Sequence, residues 1–114
     1  MERTTTTTAH PLDGWDITRA ASVEWEPWGG RGDARAKILG SADGYYVVLV
    51  EAEPGYTGTP HEHAHAEFLY VLSGRLRNQG EVMEAGDAYA AAAGSRHTDF
   101  TAEAAATYVS IFRL

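Results

Sequence analysis

The chain has 114 residues, with 9 Lys or Arg against 16 Asp or Glu, a net charge of −7 and an isoelectric point near 5.1. That length fits one domain able to bury roughly two-thirds of its unfolded surface; 44% hydrophobic and 22% charged residues make a globular composition. The acidic balance argues against a nucleic-acid or anionic-membrane binder, which would carry a basic face, and the absence of cysteine excludes disulfides, thiolate metal sites and thiol nucleophiles.

Residues 1–12 read as a flexible tail outside a domain spanning 13–114. Thr4 to Thr8 is low-complexity, and the segment has no apolar stretch of the kind a signal peptide needs, so a cytoplasmic protein is expected. No apolar run approaches the ~20 residues of a membrane span. Val23 to Glu26 alternates apolar and polar and predicts a short strand. Trp28 to Asp33 is a glycine-rich turn, and its Gly29-Gly30-Arg31-Gly32 run lacks the lysine and the strand-to-helix setting of a phosphate cradle. Ala34 to Leu39 predicts a strand and Gly40 to Gly44 a turn. Tyr45 to Ala52 is β-branched and aromatic without a breaker and gives the clearest strand. Further strands are expected over Glu67 to Leu72, Arg75 to Asn78, Ala88 to Ala93, His97 to Thr101 and Thr107 to Phe112, with turns at Gln79 to Glu81 and Glu84 to Asp87. Short strands between glycine-bearing turns, with no long helix competing, indicate an all-β sandwich or barrel.

Three of the five histidines, His61, His63 and His65, stand two residues apart, while His97 follows more than thirty residues later and His10 lies in the tail. Side chains two apart on an extended segment share a face. His61 and His63 therefore converge, with Glu67 at an even offset from both, and His97 can complete the group if its strand lies across from the first. Imidazoles with a carboxylate suit Fe, Zn, Mn, Ni or Cu. His65 would join them only on a straight strand; on a bent one it lies at the mouth of the barrel, with proton carrier or spare ligand as the alternative. With the histidines so committed, no Ser-His-Asp arrangement remains.

The spacing Gly55, five residues, His61-x-His63, three residues, Glu67, six residues, Gly74 resembles the first cupin motif. Gly86, five residues, Ala92-x-Gly94-x-x-His97-x-x-x-Thr101 resembles the second, with Ala92 where the family has Pro and Thr101 where it has Asn. Neither departure falls on a ligand position. The resemblance, covering about Val23 to Leu114, implies a single-domain cupin, a jelly-roll β-barrel whose His61, His63, Glu67 and His97 hold one divalent transition metal. The run from Trp28 through Lys37-Ile38-Leu39, Pro54-Gly55 and Tyr70-Val71-Leu72-Ser73-Gly74 to Gly86-Asp87 and Gly94-Ser95-Arg96-His97 is more loosely similar to acetylacetone- and dihydroxyacetophenone-cleaving dioxygenases and to the zinc-binding cupin domain of anti-sigma factors. It implies a non-haem Fe(II) dioxygenase for a small diketone, enol or phenolic ketone. A non-redox Zn, Ni or Mn isomerase, cyclase or lyase, or a small-molecule sensor, stands beside it.

Glu67 to Leu72 is apolar on both faces, and a strand covered on both sides in so small a protein implies a homodimer. Trp15, Trp25 and Trp28 are expected to plug a barrel end, pack at an interface or line a pocket. Tyr46, Tyr89 and Phe100 are read as pocket liners or core, the alanines of Ala88 to Ala93 as a low wall beside a cavity or as close packing, and Asp99 as an acceptor for an imidazole or a solvated acid.

Overall fold

The computed structural model describes residues 13–114; the tail read over residues 1–12, and His10 with it, lies outside them. Eleven strands follow a single 3-10 turn at Ala20–Ser22: β1 Glu26–Pro27, β2 Ala34–Ala42, β3 Tyr45–Ala52, β4 His61–Glu62, β5 Glu67–Ser73, β6 Arg75–Asn78, β7 Glu81–Glu84, β8 Ala88–Ala91, β9 Arg96–His97, β10 Phe100–Ala102 and β11 Ala106–Arg113. They form a six-stranded sheet in the order β1-β2-β3-β11-β5-β8, a three-stranded sheet β10-β6-β7 and a two-stranded ribbon β4-β9. The fold is the expected all-β jelly-roll. No described helix is long and apolar enough to cross a membrane.

Alternation along the strands builds one core between the two larger sheets. Ala36 and Ile38 on β2, Val48 and Val50 on β3, Leu69 and Val71 on β5 and Tyr108 on β11 face Leu76 on β6, Met83 on β7 and Phe100 and Ala102 on β10. Ile38, Val48, Val50, Val71 and Leu76 are at most 1% exposed, and burying each such side chain stabilises the fold by roughly 1.5–3 kcal/mol. The opposite face of β5 behaves differently. Phe68, Tyr70 and Leu72 are 43–48% exposed, so the second apolar face seen in the sequence is real and is left uncovered by the described residues.

Three local expectations change. The strand expected over His97 to Thr101 is divided at Thr98-Asp99 between β9, in the two-stranded ribbon, and β10, in the three-stranded sheet. The turn expected over Gly40 to Gly44 is confined to Asp43-Gly44, both at positive φ (53° and 82°), the signature of a two-residue hairpin turn. Gly40 itself is buried and pairs with Val47, where the β2–β3 register shifts. A glycine in a strand marks such an irregularity as readily as a turn. Likewise, of the strand expected over Val23 to Glu26 only Glu26 is in a strand, as the first residue of β1. Val23 is buried beside the 3-10 turn and pairing begins only at Glu26.

Gly74, joining β5 to β6, has φ +83°, and a Cβ there would lie 1.9 Å from the Ala105 carbonyl oxygen. The chain approaches itself too closely at this point for any side chain.

The tryptophans part company. Trp28 packs on the core and tilts against Phe112 at 6.2 Å. Trp25 lies under the Arg35 guanidinium (4.3 Å) and the Lys37 ammonium (4.9 Å), and Trp15 is 64% exposed.

Candidate metal centre

The two histidine-bearing stretches meet because β4 and β9 pair antiparallel with His61 opposite His97. The pairing continues past the strand ends, since the His63 amide donates to the Ser95 carbonyl (2.8 Å) and the Gly94 amide to the His63 carbonyl (2.7 Å). A bend at Ala64–His65 then interrupts the extended chain before β5 opens at Glu67. That bend is the one needed to take His65 off the face shared by its neighbours. His61, His63 and His97 each bring a ring nitrogen to within 4.8 Å of the others, a separation that two metal–nitrogen bonds of roughly 2.1 Å each can span after small ring rotations. Ring centroids lie 4.8 to 5.4 Å apart. His63 and His97 are buried and His61 is exposed. His65 falls outside the group and does not line the adjoining cavity.

Hydrogen bonds select the tautomers. His61 Nδ1 lies 2.8 Å from the Thr59 carbonyl, which can only accept, so the ring proton sits there and Nε2 keeps its lone pair. Ser95 Oγ donates to the Ala92 carbonyl (2.6 Å) and therefore accepts from His63 Nδ1 (2.9 Å). His63 Nε2 is then a buried lone pair with no hydrogen-bond partner among the described residues. An unsatisfied buried polar atom costs roughly 1–3 kcal/mol, and a cation at the convergence of the three rings would satisfy it. On His97 the arrangement is reversed: Nε2 is held by Asn78 Oδ1, and Nδ1 faces Glu67 Oε2 at 3.9 Å. Burial lowers the His97 pKa, and the nearby His61 and His63 rings add to this while Glu67 opposes it. The net effect favours the neutral imidazole that metal ligation requires. These donors fit a divalent transition ion.

Glu67 Oε2 is also 3.6 Å from His63 Nε2, which places the carboxylate beside the His63 and His97 rings, although it does not join the three histidines in the mutually close group. The Tyr89 hydroxyl donates to that same oxygen. Burial, and then the Glu67 charge, push the Tyr89 phenol far above its ordinary pKa, so it stays protonated. Tyr56 and Tyr108 are also raised, chiefly by burial.

The centre opens onto a cavity of about 360 Å³ lined by His61, Glu67, Tyr89 and His97 on one side and by Trp28, Tyr56, Leu69, Phe100, Tyr108 and Phe112 elsewhere. No Lys or Arg is among its described lining residues. Tyr89 and Phe100 thus line the cavity as read from the sequence, while Tyr46 reaches it only by packing on Phe112 at 6.2 Å. From β8 only Tyr89 reaches this cavity, whereas Ala90, Ala91 and the following Ala92 line a second one, of about 270 Å³, beside His63 and His97, which is where the low alanine wall stands. Asp99 holds no imidazole and is not merely solvated. It is paired with Arg77 (2.8 Å), which lowers its pKa. Thr101 and Ala92, the two departures from the second motif, are absorbed locally. Arg77 donates to Thr101 Oγ1 (3.3 Å), and the Ala92 carbonyl accepts from Ser95 N (3.1 Å) to close the turn without proline.

Sequence reasoning did not find Thr59, Ser95 or Asn78. The first two sit two residues from a ligand-type histidine in space or chain, inside or beside the motifs, whereas Asn78 arrives from β6 and carries no motif signal.

A family description, the ChrR cupin-like domain, matches residues 15–113. Among characterised proteins, the pectin degradation protein KdgF of Dickeya dadantii (strain 3937) is 29% identical, over 75% of this chain and 84% of KdgF. An acetylacetone dioxygenase from Acinetobacter johnsonii superposes with a TM-score of 0.74 at 12% identity, covering 95% of this chain and 78% of that one, a likeness of fold. The structure of Rhodobacter sphaeroides SigE in complex with the anti-sigma ChrR matches with a TM-score of 0.70 at 26% identity, over 82% of this chain and 51% of that one. With both motif stretches paired in space and nearly the whole described chain matched, the protein belongs to the ChrR cupin-like domain family of cupins.

Proposed function

We propose that this protein is a non-haem Fe(II) dioxygenase acting on a small diketone, enol or phenolic ketone, with the ion held by His61, His63, His97 and Glu67. The observation that carries this reading is the buried Nε2 of His63, without a hydrogen-bond partner among the described residues, within a convergent trio of imidazoles that opens on an aromatic cavity. Bound there, Fe(II) would supply redox and Lewis-acid chemistry toward O₂ and an oxygen-bearing substrate. The chain supplies the rest. Three neutral imidazoles and one carboxylate leave a divalent site with a net charge near +1, suited to an enolate. Trp28, Phe100, Tyr108 and Phe112 exclude water from the reacting space. Without a Lys or Arg in the described lining, a substrate carboxylate remote from the ion would be left unpaired, which disfavours sugar acids against diketones and ketones. His65 is proposed only as a proton carrier, and a His65→Gln protein with unchanged turnover removes it from the scheme.

The test is anaerobic loading with Fe(II) followed by oxygen uptake over a panel of diketones, phenolic ketones and catechols. Uptake with at least one of them is expected; none, on fully loaded protein, overturns the reading. A second reading is favoured by the likeness to KdgF and by membership of the ChrR-like family: a non-redox Zn, Ni or Mn centre serving an isomerase, cyclase or lyase, or sensing a small molecule. Ligand binding without oxygen consumption selects it. The exposed Phe68, Tyr70 and Leu72 support a homodimer, which light scattering tests. A cytoplasmic setting completes the proposal.

A further inference from the structure

We propose that Tyr89 is the positioning residue of the metal centre, its hydroxyl holding the Glu67 carboxylate against the His63 and His97 imidazoles so that Glu67 serves as a directed fourth ligand. This rests on the metal-binding reading above.

The placement follows from strand register. β5 and β8 pair with Leu69 opposite Tyr89 and Glu67 opposite Ala91. Glu67 and Leu69 share a face, so Tyr89 is the diagonal neighbour of Glu67, at a cross-strand distance of roughly 7–8 Å that an aromatic side chain can bridge. It does: among the described residues, the Tyr89 hydroxyl is the hydrogen-bond donor to Glu67. The oxygen it holds is Oε2, the same atom that stands 3.6 Å from His63 Nε2 and 3.9 Å from His97 Nδ1. A carboxylate oxygen has two lone-pair directions. With one given to the phenol, the other is left toward the imidazoles.

Tyr89 is itself fixed. Its ring meets His97 edge-on at 5.8 Å, so ring and hydroxyl brace two members of the centre at once. The chemistry of the donor matters as well. An Arg or Lys in this place would neutralise Glu67 and add a competing positive charge beside the ion. A phenol donates a hydrogen bond and leaves the carboxylate its full charge. Glu67 opens β5 directly after the bend at Ala64–His65, and without the phenol its side chain would keep several rotamers. Outer partners of metal ligands usually change metal affinity by 10–100-fold when removed.

The test is a double-mutant cycle on the full chain: wild type, Tyr89→Phe, Glu67→Ala and the double variant, each titrated with Co²⁺ in competition with a chelator and followed by the visible Co²⁺ absorption. Phe keeps the ring against His97, so loss of packing is not at issue. Tyr89→Phe is expected to weaken Co²⁺ binding about tenfold when Glu67 is present, to alter the Co²⁺ spectrum, and to change neither in the Glu67→Ala background. Glu67→Gln, which keeps an acceptor for the phenol, should retain part of the dependence on Tyr89. Equal losses in both backgrounds would show that Tyr89 acts through its ring on His97, and no loss in either would show that it does not act; both results overturn the proposal. A wild-type protein that takes up neither Co²⁺ nor Zn²⁺ overturns instead the metal-binding reading on which it rests.

Discussion

Two interiors lie side by side in this molecule, and they are finished to different degrees. Between the six- and three-stranded sheets, Ile38, Val48, Val50, Val71 and Leu76 are at most 1% exposed and need nothing beyond one another. At the β4–β9 end, His63 and His97 are buried almost as deeply, at 7% and 8%, yet one ring nitrogen has no hydrogen bond among the described residues and three imidazoles crowd together. The dry interior explains why the chain folds. The histidine interior is a polar cluster supported by that fold, incomplete by itself and therefore informative about what it receives.

Substitutions should separate the two. Gly74→Ala forces a Cβ against the Ala105 carbonyl and the Ala106 backbone at a positive φ, and should cost on the order of 4 kcal/mol, read as a large drop in denaturant midpoint. Leu76→Ala, at a fully buried site, should cost about 3 kcal/mol while the metal affinity of the folded fraction stays as in wild type. His63→Ala should do the reverse. With an unsatisfied atom removed along with the ring, metal-free stability should stay within roughly 1 kcal/mol of wild type, but the rise in melting temperature on adding Zn²⁺ should vanish. A His63→Ala protein that still gains stability from Zn²⁺ would break the division.

The comparison also has a pH dependence. Burial first, and the His61 and His63 rings with it, hold His97 below its ordinary value of 6.5. An unfolded chain protonates that imidazole near 6.5, so below this pH it binds more protons than the folded protein does. The contribution of His97 to metal-free stability is therefore complete above pH 6.5 and declines as pH falls through the window beneath it. Bound metal should be released in the same direction, because ligating imidazoles must be neutral. Melting curves with and without chelator across that range check both. The smallest effect belongs to the surface. Arg35 and Glu51 pair at 2.7 Å with side chains 54% and 40% exposed, and Glu51→Gln should cost no more than about 0.5 kcal/mol, fading further in salt.

Much of the fold could be read in the chain because the signals were local. Tyr45 to Ala52 and Arg75 to Asn78 coincide with strands β3 and β6, since β-branched and alternating residues between turn formers leave little else to adopt. Gly40 misled because a glycine marks a register shift as well as a turn, and only the partner strand distinguishes them. The convergence of His61, His63 and His97 was legible from two motifs and the period of an extended chain. The contacts behind them were not. Asn78 reaches His97 from β6 and Tyr89 reaches Glu67 from β8, pairings fixed by strand order, which no single stretch of sequence encodes. Asp99, beside His97 in the chain, turned instead to Arg77 across the β10–β6 pair. Adjacency in sequence on a strand says which face a residue takes and leaves its partner to the neighbouring strand.

One feature of the centre bears on how it is filled. His61 alone of the three imidazoles is exposed to solvent, so a chelator or a rival cation can approach from that side and displace a resident ion one bond at a time. A metal held there would be open to exchange with the surrounding pool, and the intrinsic preference of nitrogen donors for later transition ions would then be weighed against supply. Protein grown on iron and protein grown on zinc should carry different cargo in the same unaltered scaffold.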